Sequence, residues 1–336
     1  MPTDAPFPPI PFTPPKAVFK DMSKNAPAAT AHVPLPSSAA AAANAIVMDP
    51  EVNSAAIDDK APSGSAEKPV LPTFSLDGRT VVITGGAGGL GLVMAKGLVL
   101  SGAGVALVDL NDTEAASQIS VLEAAFKDAH PTLSSVPRVT AHKVDVSSEE
   151  SVAACIGAVV SVHGKIDGLV TSAGFTETIQ SIDYPIDRMR KLWAVNVDGT
   201  YIFAQQIARH LVKEKRGGSM VFIGSMSGSI VNVPQPQAPY NASKAAVRHL
   251  CASMAVEWAP HQIRVNTISP GYMLTALTEK ILEANPDLRD AWVGGTPQGR
   301  MGAPEDLMGP VTFLLSDASR FVTGADLRVD GGYTVM

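Results

Sequence analysis

The sequence predicts an α/β protein with a doubly wound, seven-stranded parallel sheet that carries helices on both faces. First, short apolar runs alternate with helix-like segments from Phe74 to the C-terminus, as they do where helices connect parallel strands. Second, a glycine-rich loop joins the first run to the first helix, which favours an open sheet over a closed eight-stranded βα barrel. Third, polar residues follow the later runs, at the strand ends where open sheets bind ligands.

The predicted elements follow one another along the chain. Buried parallel strands are short β-branched or apolar runs, and seven such runs lie at 79–85, 104–110, 138–146, 166–174, 218–225, 263–271 and 325–332. The predicted helices cover 89–102, 112–129, 148–164, 186–215 and the segment from Tyr240 to about Ala259. Asp112 and Thr113 are the candidate caps of the second helix, and Ser148 opens the third. With the glycine loop, this order predicts a Rossmann-like fold.

The composition changes near residue 73. Residues 1–73 hold 14 of the 26 prolines but only one of the 28 glycines. Such a segment buries too little apolar surface to offset its chain entropy, so we expect a disordered N-terminal extension ahead of a single folded domain at 74–336. A docking or targeting arm is the alternative interpretation of the extension.

The overall composition excludes several classes of partner. The net charge of −6 argues against nucleic acid, because a phosphate-binding face needs clustered Lys and Arg. The seven histidines lack the spacing of metal ligands, so we expect no metal. We find no run of eighteen apolar residues and no signal-peptide pattern. We therefore expect no membrane partner and a cytoplasmic location, with Cys155 and Cys251 as reduced thiols.

The loop TGGAGGLG, residues 84–91, predicts a phosphate-binding turn. Glycine permits positive φ and a close approach of a pyrophosphate to the backbone. The helix that follows offers free N–H groups and the positive end of its dipole. We therefore expect Gly85, Gly89, Leu90 and Gly91 to bind a dinucleotide.

Asp109 ends the second strand and predicts the contact with the adenosine ribose. A carboxylate at this place accepts hydrogen bonds from the ribose hydroxyls and repels a 2′-phosphate. Neither Gly88 nor Leu110 is basic, so NAD is favoured over NADP as the cofactor. Asp145 and Val146 end the third strand, and we expect them near the adenine, with helix capping as the alternative role of Asp145.

Four polar residues predict proton transfer. They are Asn196 in an apolar helix, Ser225 after the fifth strand, Tyr240, and Lys244 one helical turn further on. A free phenol ionises near pH 10, and a nearby ammonium together with oxidised nicotinamide favours the phenolate. Tyr240 then exchanges a proton with the substrate oxygen, and Ser225 holds that oxygen. Lys244 grips the nicotinamide ribose, and Asn196 holds a water molecule that links Lys244 to solvent.

These motifs resemble the short-chain dehydrogenase/reductase family, and the resemblance covers the chain from about Phe74 to the C-terminus. The glycine loop fits the family's TGxxxGxG pattern, and Tyr240 to Lys244 fits its YxxxK pattern. Ser225 fits the family's serine and Asn196 its helix asparagine. The family's serine-to-tyrosine spacing of about 13 residues points instead to Ser227, which stays the alternative.

The resemblance implies further cofactor contacts. The family's NNAG reads Thr171 to Gly174 here, and its small pair Ala173 and Gly174 keeps the backbone accessible to the cofactor. Pro270, Gly271 and Thr275 fit the stretch that holds the nicotinamide carboxamide. It also implies a homodimer or homotetramer, built from the helices of Asn196 and Tyr240 and from the apolar C-terminus.

Two stretches, residues 224–250 and 269–279, resemble fungal polyol dehydrogenases and ketose reductases of the mannitol, arabinitol and sorbose group. Amides at Asn232, Gln235 and Gln237 suit a polyhydroxylated substrate. The leading hypothesis is thus an NAD-linked oxidoreductase of a polyol or ketose. A ketoreductase of a larger hydrophobic metabolite and a catalytically silent nucleotide-sensing protein remain alternatives.

The apolar segment 272–301 predicts a lid over the substrate, with core packing as its alternative.

Overall fold

The computed structural model describes residues 69–336, without the side chains of residues 277, 284 and 286. Within this range seven strands form one sheet: β1 Thr80–Thr84, β2 Gly104–Asp109, β3 Val139–Lys143, β4 Gly168–Thr171, β5 Gly218–Ile223, β6 Ile263–Pro270 and β7 Asp326–Val329. The α-helices are α1 Gly89–Leu100, α2 Asp112–Ala129, α3 Glu149–His163, α4 Ile186–Trp193, α5 Gly199–Lys213, α6 Ala238–Trp258, α7 Ala276–Ala284, α8 Pro286–Gly294 and α9 Met308–Leu315.

The strands lie in the order β3-β2-β1-β4-β5-β6-β7, and every pair is parallel. The chain runs outward from β1 to β3 and then returns to the centre to form β4. This reversal opens a crevice at the carboxyl ends of β1 and β4, where such sheets bind ligands. The predicted doubly wound, Rossmann-like sheet is confirmed.

Apolar side chains bury both faces of the sheet. Successive residues of β1 point to opposite faces: Val82 packs in one cluster with Phe203 of α5 and Met254 of α6. Val81 and Ile83 pack in the other cluster with α1, α2 and α9. All five residues of β1 are buried, which explains why the strand has no polar alternation in sequence.

The predicted helix at 186–215 contains a break that the sequence did not reveal. A π-helical segment, Ala194–Asp198, separates α4 from α5. Single π-helical turns insert an extra residue and change the direction of a side chain, and they are frequent at functional sites. Here the segment carries Asn196, which is 1% exposed.

The helix caps differ in one place from the prediction. Asn111, and not Asp112 or Thr113, caps α2, because its side chain accepts a hydrogen bond from the Glu114 backbone N–H. Asp112 lies in the first turn and pairs with Lys143 at 3.7 Å. Ser148 caps α3 as predicted, by accepting from the Ser151 backbone N–H at 3.2 Å.

The predicted N-terminal extension, residues 1–73, lies outside the described residues except for its last five positions. A short 3₁₀ helix, Leu71–Phe74, precedes the buried Leu76.

Towards the C-terminus, the predicted lid segment forms α7 and α8, and Leu282, Trp292 and Met301 make a small apolar cluster of their own. Among the described residues, no helix combines the length and the apolar character needed to cross a membrane.

Candidate active site

A cleft of about 690 Å³ lies at the carboxyl ends of β1, β2, β3 and β4. Six of the predicted cofactor residues line it: Gly85, Asp109, Asp145, Val146, Ala173 and Gly174. The cleft also has a wall that the sequence did not predict, which includes Phe175, Glu177, Arg188 and Lys191. These residues lie on α4 and on the chain between β4 and α4, and neither stretch carries a sequence pattern that would have revealed the wall.

Two positions of the glycine loop, Gly85 and Gly91, are packed too closely for side chains. Gly85 has φ +66°, and a Cβ on it would lie 3.0 Å from the backbone of Ala173. A Cβ on Gly91 would lie 2.1 Å from the carbonyl oxygen of Gly85, which no side chain permits. Thr84 fastens the loop to the end of β4, because its hydroxyl accepts from the Ala173 N–H at 3.0 Å.

The first turn of α1 fits the pyrophosphate of a dinucleotide. Gly88 is the N-cap, and no side chain of the described residues caps the helix. A Cβ on Gly88 or Gly89 would meet no atom within 4 Å, so open space lies in front of these two residues. Gly89, Leu90 and Gly91 thus begin a helix whose N-terminal N–H groups are free for an anion.

Asp109 holds its carboxylate at the edge of the cleft. Its two oxygens accept from the N–H groups of Ala87 and Asn111, each at 3.1 Å. Each oxygen keeps further lone pairs for a ligand hydroxyl. Lys143 lies beside Asp109 in the sheet register, a basic neighbour that the linear sequence did not indicate.

Asp145 and Val146 both lie at the end of β3, but in different surroundings. Asp145 is exposed and accepts from the N–H and the hydroxyl of Ser147, and these two hydrogen bonds lower the pKa of its carboxyl. Its side chain therefore closes a turn, while the helix cap is Ser148. Val146 is buried and packs against Gly199.

Lys244 and Asn196 both lie close to Gly174. The Lys244 side chain is 7% exposed, and its Nζ donates to the carbonyl oxygen of Ile223 at 2.8 Å. Burial lowers the pKa of Lys244 from 10.5 to about 8. The Asn196 amide accepts from the Phe175 N–H at 3.1 Å and donates to the Phe175 carbonyl at 3.0 Å. A Cβ on Gly174 would lie 3.0 Å from Asn196 Oδ1 and 3.7 Å from Lys244 Nζ, so the cleft and this pair adjoin.

The pKa of Tyr240 departs from the prediction. The Lys244 ammonium lies 5.8 Å from the centre of the Tyr240 ring. Nevertheless burial raises the pKa of Tyr240, and a hydrogen bond with Ser225 acts in the lowering direction. Desolvation disfavours the phenolate more than Ser225 favours it. The protein by itself therefore raises the pKa of Tyr240, in the direction opposite to the expected one.

The two candidate serines have separate partners. Ser225 lies two residues past β5, accepts from the Ser227 N–H at 3.1 Å, and acts on Tyr240 in the direction that lowers its pKa. The Ser227 hydroxyl instead donates to Asn232 Oδ1 at 2.5 Å. The geometry favours Ser225 as the serine that faces the phenol.

The predicted carboxamide stretch lies at the end of β6. Pro270 is the last residue of β6, and Gly271 packs so tightly that a Cβ would lie 2.7 Å from Asp330 Cα. Thr275 caps α7, and its hydroxyl accepts from the Thr278 N–H at 3.3 Å. None of these three residues lines the described cleft, so their contact with the cofactor stays a prediction.

The unpredicted wall of the cleft is an ordered polar cluster. Glu177 accepts from the Tyr184 hydroxyl at 2.6 Å and from Arg188 Nε at 3.2 Å. The hydrogen bond with Arg188, followed by that with Tyr184, lowers the pKa of Glu177. Burial and the Glu177 carboxylate raise the pKa of Tyr184 to about 12.

Comparison with known proteins agrees with this geometry. Residues 85–334 match the family model described as enoyl-(acyl carrier protein) reductase. A ribulose-forming D-arabinitol 2-dehydrogenase of Scheffersomyces stipitis is 42% identical over 271 residues, which cover 79% of this chain and 96% of that protein. An NADH-dependent L-xylulose reductase of Ambrosiozyma monospora is 40% identical over 268 residues, which cover 79% and 98%.

A solved structure extends the match to three dimensions. The gluconate 5-dehydrogenase of Burkholderia cenocepacia J2315, in complex with NADP and tartrate, is 34% identical and aligns with a TM-score of 0.72. The alignment covers 80% of this chain and all of that one. The chain therefore belongs to the short-chain dehydrogenase/reductase family, whose members bind a nicotinamide cofactor, and it is an oxidoreductase that acts on CH–OH groups.

Proposed function

We propose that the protein is an NAD-linked oxidoreductase that interconverts a polyol and the corresponding ketose. The observation that carries the proposal is that Ser225, Tyr240 and Lys244 lie together near the end of β5, next to a cleft that Gly85 and Gly174 help to line. The relatives named for D-arabinitol and L-xylulose support the substrate class.

In this proposal Tyr240 handles the proton. The bound nicotinamide supplies or accepts a hydride, and Tyr240 gives a proton to the substrate oxygen or takes one from it. Ser225 holds the same oxygen through its hydroxyl. Since burial favours the neutral phenol, Tyr240 is ready to donate a proton to a ketone, and oxidation requires its ionisation.

Lys244 and Asn196 support the phenol from behind. An ammonium has three N–H donors, and Lys244 donates one of them to the Ile223 carbonyl. The other two are available for the ribose hydroxyls of the cofactor. Asn196 uses both ends of its amide on Phe175, which leaves one lone pair of Oδ1 for the proposed water molecule.

The preference for NAD over NADP rests on Asp109. Its carboxylate lies at the edge of the cleft, where it repels a 2′-phosphate and accepts from ribose hydroxyls. The NADH dependence of the L-xylulose reductase supports this assignment. The NADP in the gluconate 5-dehydrogenase complex and the neighbouring Lys143 weigh on the other side.

Assembly and chain organisation form part of the same proposal. We propose a homodimer or homotetramer of folded domains at 74–336, each preceded by the extension. Exposed apolar side chains on α5, such as Val212, and at the C-terminus, Val335 and Met336, support such contacts. Light scattering coupled to gel filtration measures the assembly directly, and a monomer would contradict the proposal.

A parallel screen tests the proposed function. The purified full chain is assayed with D-arabinitol, other pentitols and hexitols, their ketoses, and bulky hydrophobic ketones, each with NAD(H) and NADP(H). We expect the highest kcat/KM with a polyol or ketose and NAD(H). Preference for the hydrophobic ketones would instead favour the ketoreductase alternative, and the absence of turnover would favour the silent binding protein.

A further inference from the structure

Tyr272 is the first residue of the predicted lid, 272–301, and contacts the polar loop that precedes α6. Its ring stacks on Trp292 of α8, with centroids 4.2 Å apart and an interplanar angle of 8°. Tyr333 near the C-terminus meets the same ring edge-on, at 5.3 Å and 88°. Two aromatic partners thus fix the plane of the Tyr272 ring.

The hydroxyl of Tyr272 reaches into the loop between β5 and α6. It lies 3.3 Å from Asn232 Nδ2 and 3.3 Å from Gln235 Nε2. Asn232 is 3% exposed, so its amide N–H groups need partners inside the protein. The Tyr272 hydroxyl is the acceptor that the structure gives to Nδ2.

The hydrogen bonds continue from Asn232 to the proposed reaction centre. Asn232 Oδ1 accepts from the Ser227 hydroxyl at 2.5 Å. The Ser227 backbone N–H donates to Ser225 Oγ at 3.1 Å, and the Ser225 side chain acts on Tyr240 in the direction that lowers the pKa of the phenol. A Ser225 oxygen that already accepts one hydrogen bond keeps its own O–H for the phenol or the substrate.

We propose that Tyr272 is a positioning residue, which fixes the Ser225 hydroxyl through Asn232 and Ser227 and so couples the lid to the reacting oxygen. This inference rests on the proposed function, because it assigns a task to residues around the same serine and tyrosine. Loss of the Tyr272 hydroxyl leaves the buried Asn232 amide without its acceptor. The Ser225–Ser227 turn then loosens, and Ser225 holds the phenolate less well.

The charged groups near Tyr240 are separate from this path. Lys244 lies over its ring from the same helix. α4, which packs against α6, contributes Asp187, Arg188 and Lys191 to the wall of the cleft. Replacement of uncharged groups at Tyr272 and Ser227 leaves all of these charges in place, so an altered titration of Tyr240 reports the hydrogen-bonded path.

Tyrosine NMR tests the inference without any substrate. The chain has five tyrosines, so protein labelled with ¹³C at the phenolic carbon gives a small set of resonances, which single Tyr→Phe variants assign. The pKa of Tyr240 is measured in the wild type, Tyr272→Phe, Ser227→Ala and the double variant. Tyr201→Phe is the matched control, since its hydroxyl is bonded to Gln205 on α5.

We expect Tyr272→Phe and Ser227→Ala each to raise the pKa of Tyr240 by roughly half to one unit, as loss of one hydrogen bond implies. The double variant should show no larger rise than the single variants, because both interrupt one path. Tyr201→Phe should leave the pKa unchanged.

An unchanged Tyr240 pKa in both single variants, or two shifts that add, would overturn the inference. This readout is independent of turnover. A wild type that fails to oxidise any polyol would refute the proposed function alone, while an unmoved titration in an active enzyme would refute the positioning role alone. Where both hold, Tyr272→Phe should also lower kcat about fivefold to tenfold, with a smaller change in KM.

Discussion

The two halves of the sheet present their site residues in different ways. On the β1–β3 side, the glycine loop follows β1, Asp109 is the last residue of β2, and Asp145 lies two residues past the end of β3. On the β5–β6 side, Ser225 depends on contacts between remote segments, such as the hydrogen bond that joins Asn232 to Tyr272, 40 positions away. A short motif can therefore specify the cofactor half, whereas the surroundings of Ser225 in the substrate half depend on how remote segments pack.

In the cofactor half, the largest effect is expected from a substitution at Gly91. We expect Gly91→Ala to weaken NADH binding by at least about 100-fold, because its Cβ would lie 2.1 Å from the Gly85 carbonyl oxygen and relief requires the loop to move. Gly157→Ala on α3 is the matched control, since its Cβ meets no atom within 4 Å. Quenching of intrinsic fluorescence by NADH measures the affinity, and circular dichroism reports the fold. Equal affinities in the two variants would show that the tight loop is not required.

Lys244 gives the next largest effect and belongs to the substrate half. Burial lowers its pKa from 10.5 to about 8, so the folded protein binds fewer protons than the unfolded chain between these values. Stability conferred at this site therefore rises as pH increases from about 8 to 10.5 and is constant below about 8. At 1.36 kcal/mol per pKa unit, the gain is roughly 2–4 kcal/mol.

The Lys244→Met variant isolates this effect. Urea unfolding of both proteins across pH 7 to 11 gives the difference in unfolding free energy, from which the other titrating groups cancel. The variant should be the more stable protein at pH 7, and its advantage should shrink toward pH 10.5. A difference that does not vary with pH would contradict a depressed pKa at Lys244.

A substitution of Asp109, also in the cofactor half, should give the smallest of the three effects. Asp109→Ala should weaken NADH binding about 10-fold, as loss of a hydrogen bond to a charged acceptor implies, and should strengthen NADPH binding because the repulsion of the 2′-phosphate is removed. Titration calorimetry with each nucleotide measures both constants. If the wild type already binds NADPH as tightly as NADH, Lys143 compensates for the carboxylate and NAD is not preferred.

The sequence predicted the strands, their parallel arrangement and a ligand site at their carboxyl ends, because each rests on local patterning. A motif places Tyr240 and Lys244 on one helix, and their reactive role stays a prediction. The sequence did not predict the π-helical turn at Asn196 or the neighbour Lys143, which depend on the register of packed elements. The upward shift of the Tyr240 pKa was also missed, because burial is a property of the fold.

The choice between the two serines shows the same limit. Spacing along the chain points to Ser227, and alignment from the strand points to Ser225. In the folded chain the two serines have different partners: Ser227 donates to Asn232, and Ser225 acts on Tyr240. These neighbours are brought together by the packing of β5, the following loop and α6.

In the proposed function, Tyr240 exchanges the proton with the substrate oxygen. The direct measurement is kcat for the best polyol of the screen, in the wild type and in Tyr240→Phe, with Tyr201→Phe as the control. General acid–base catalysis contributes about 10²- to 10⁴-fold, so we expect kcat of Tyr240→Phe to fall by that factor while NADH still binds and Tyr201→Phe keeps full activity. A Tyr240→Phe enzyme that turns over at the wild-type rate would contradict the account.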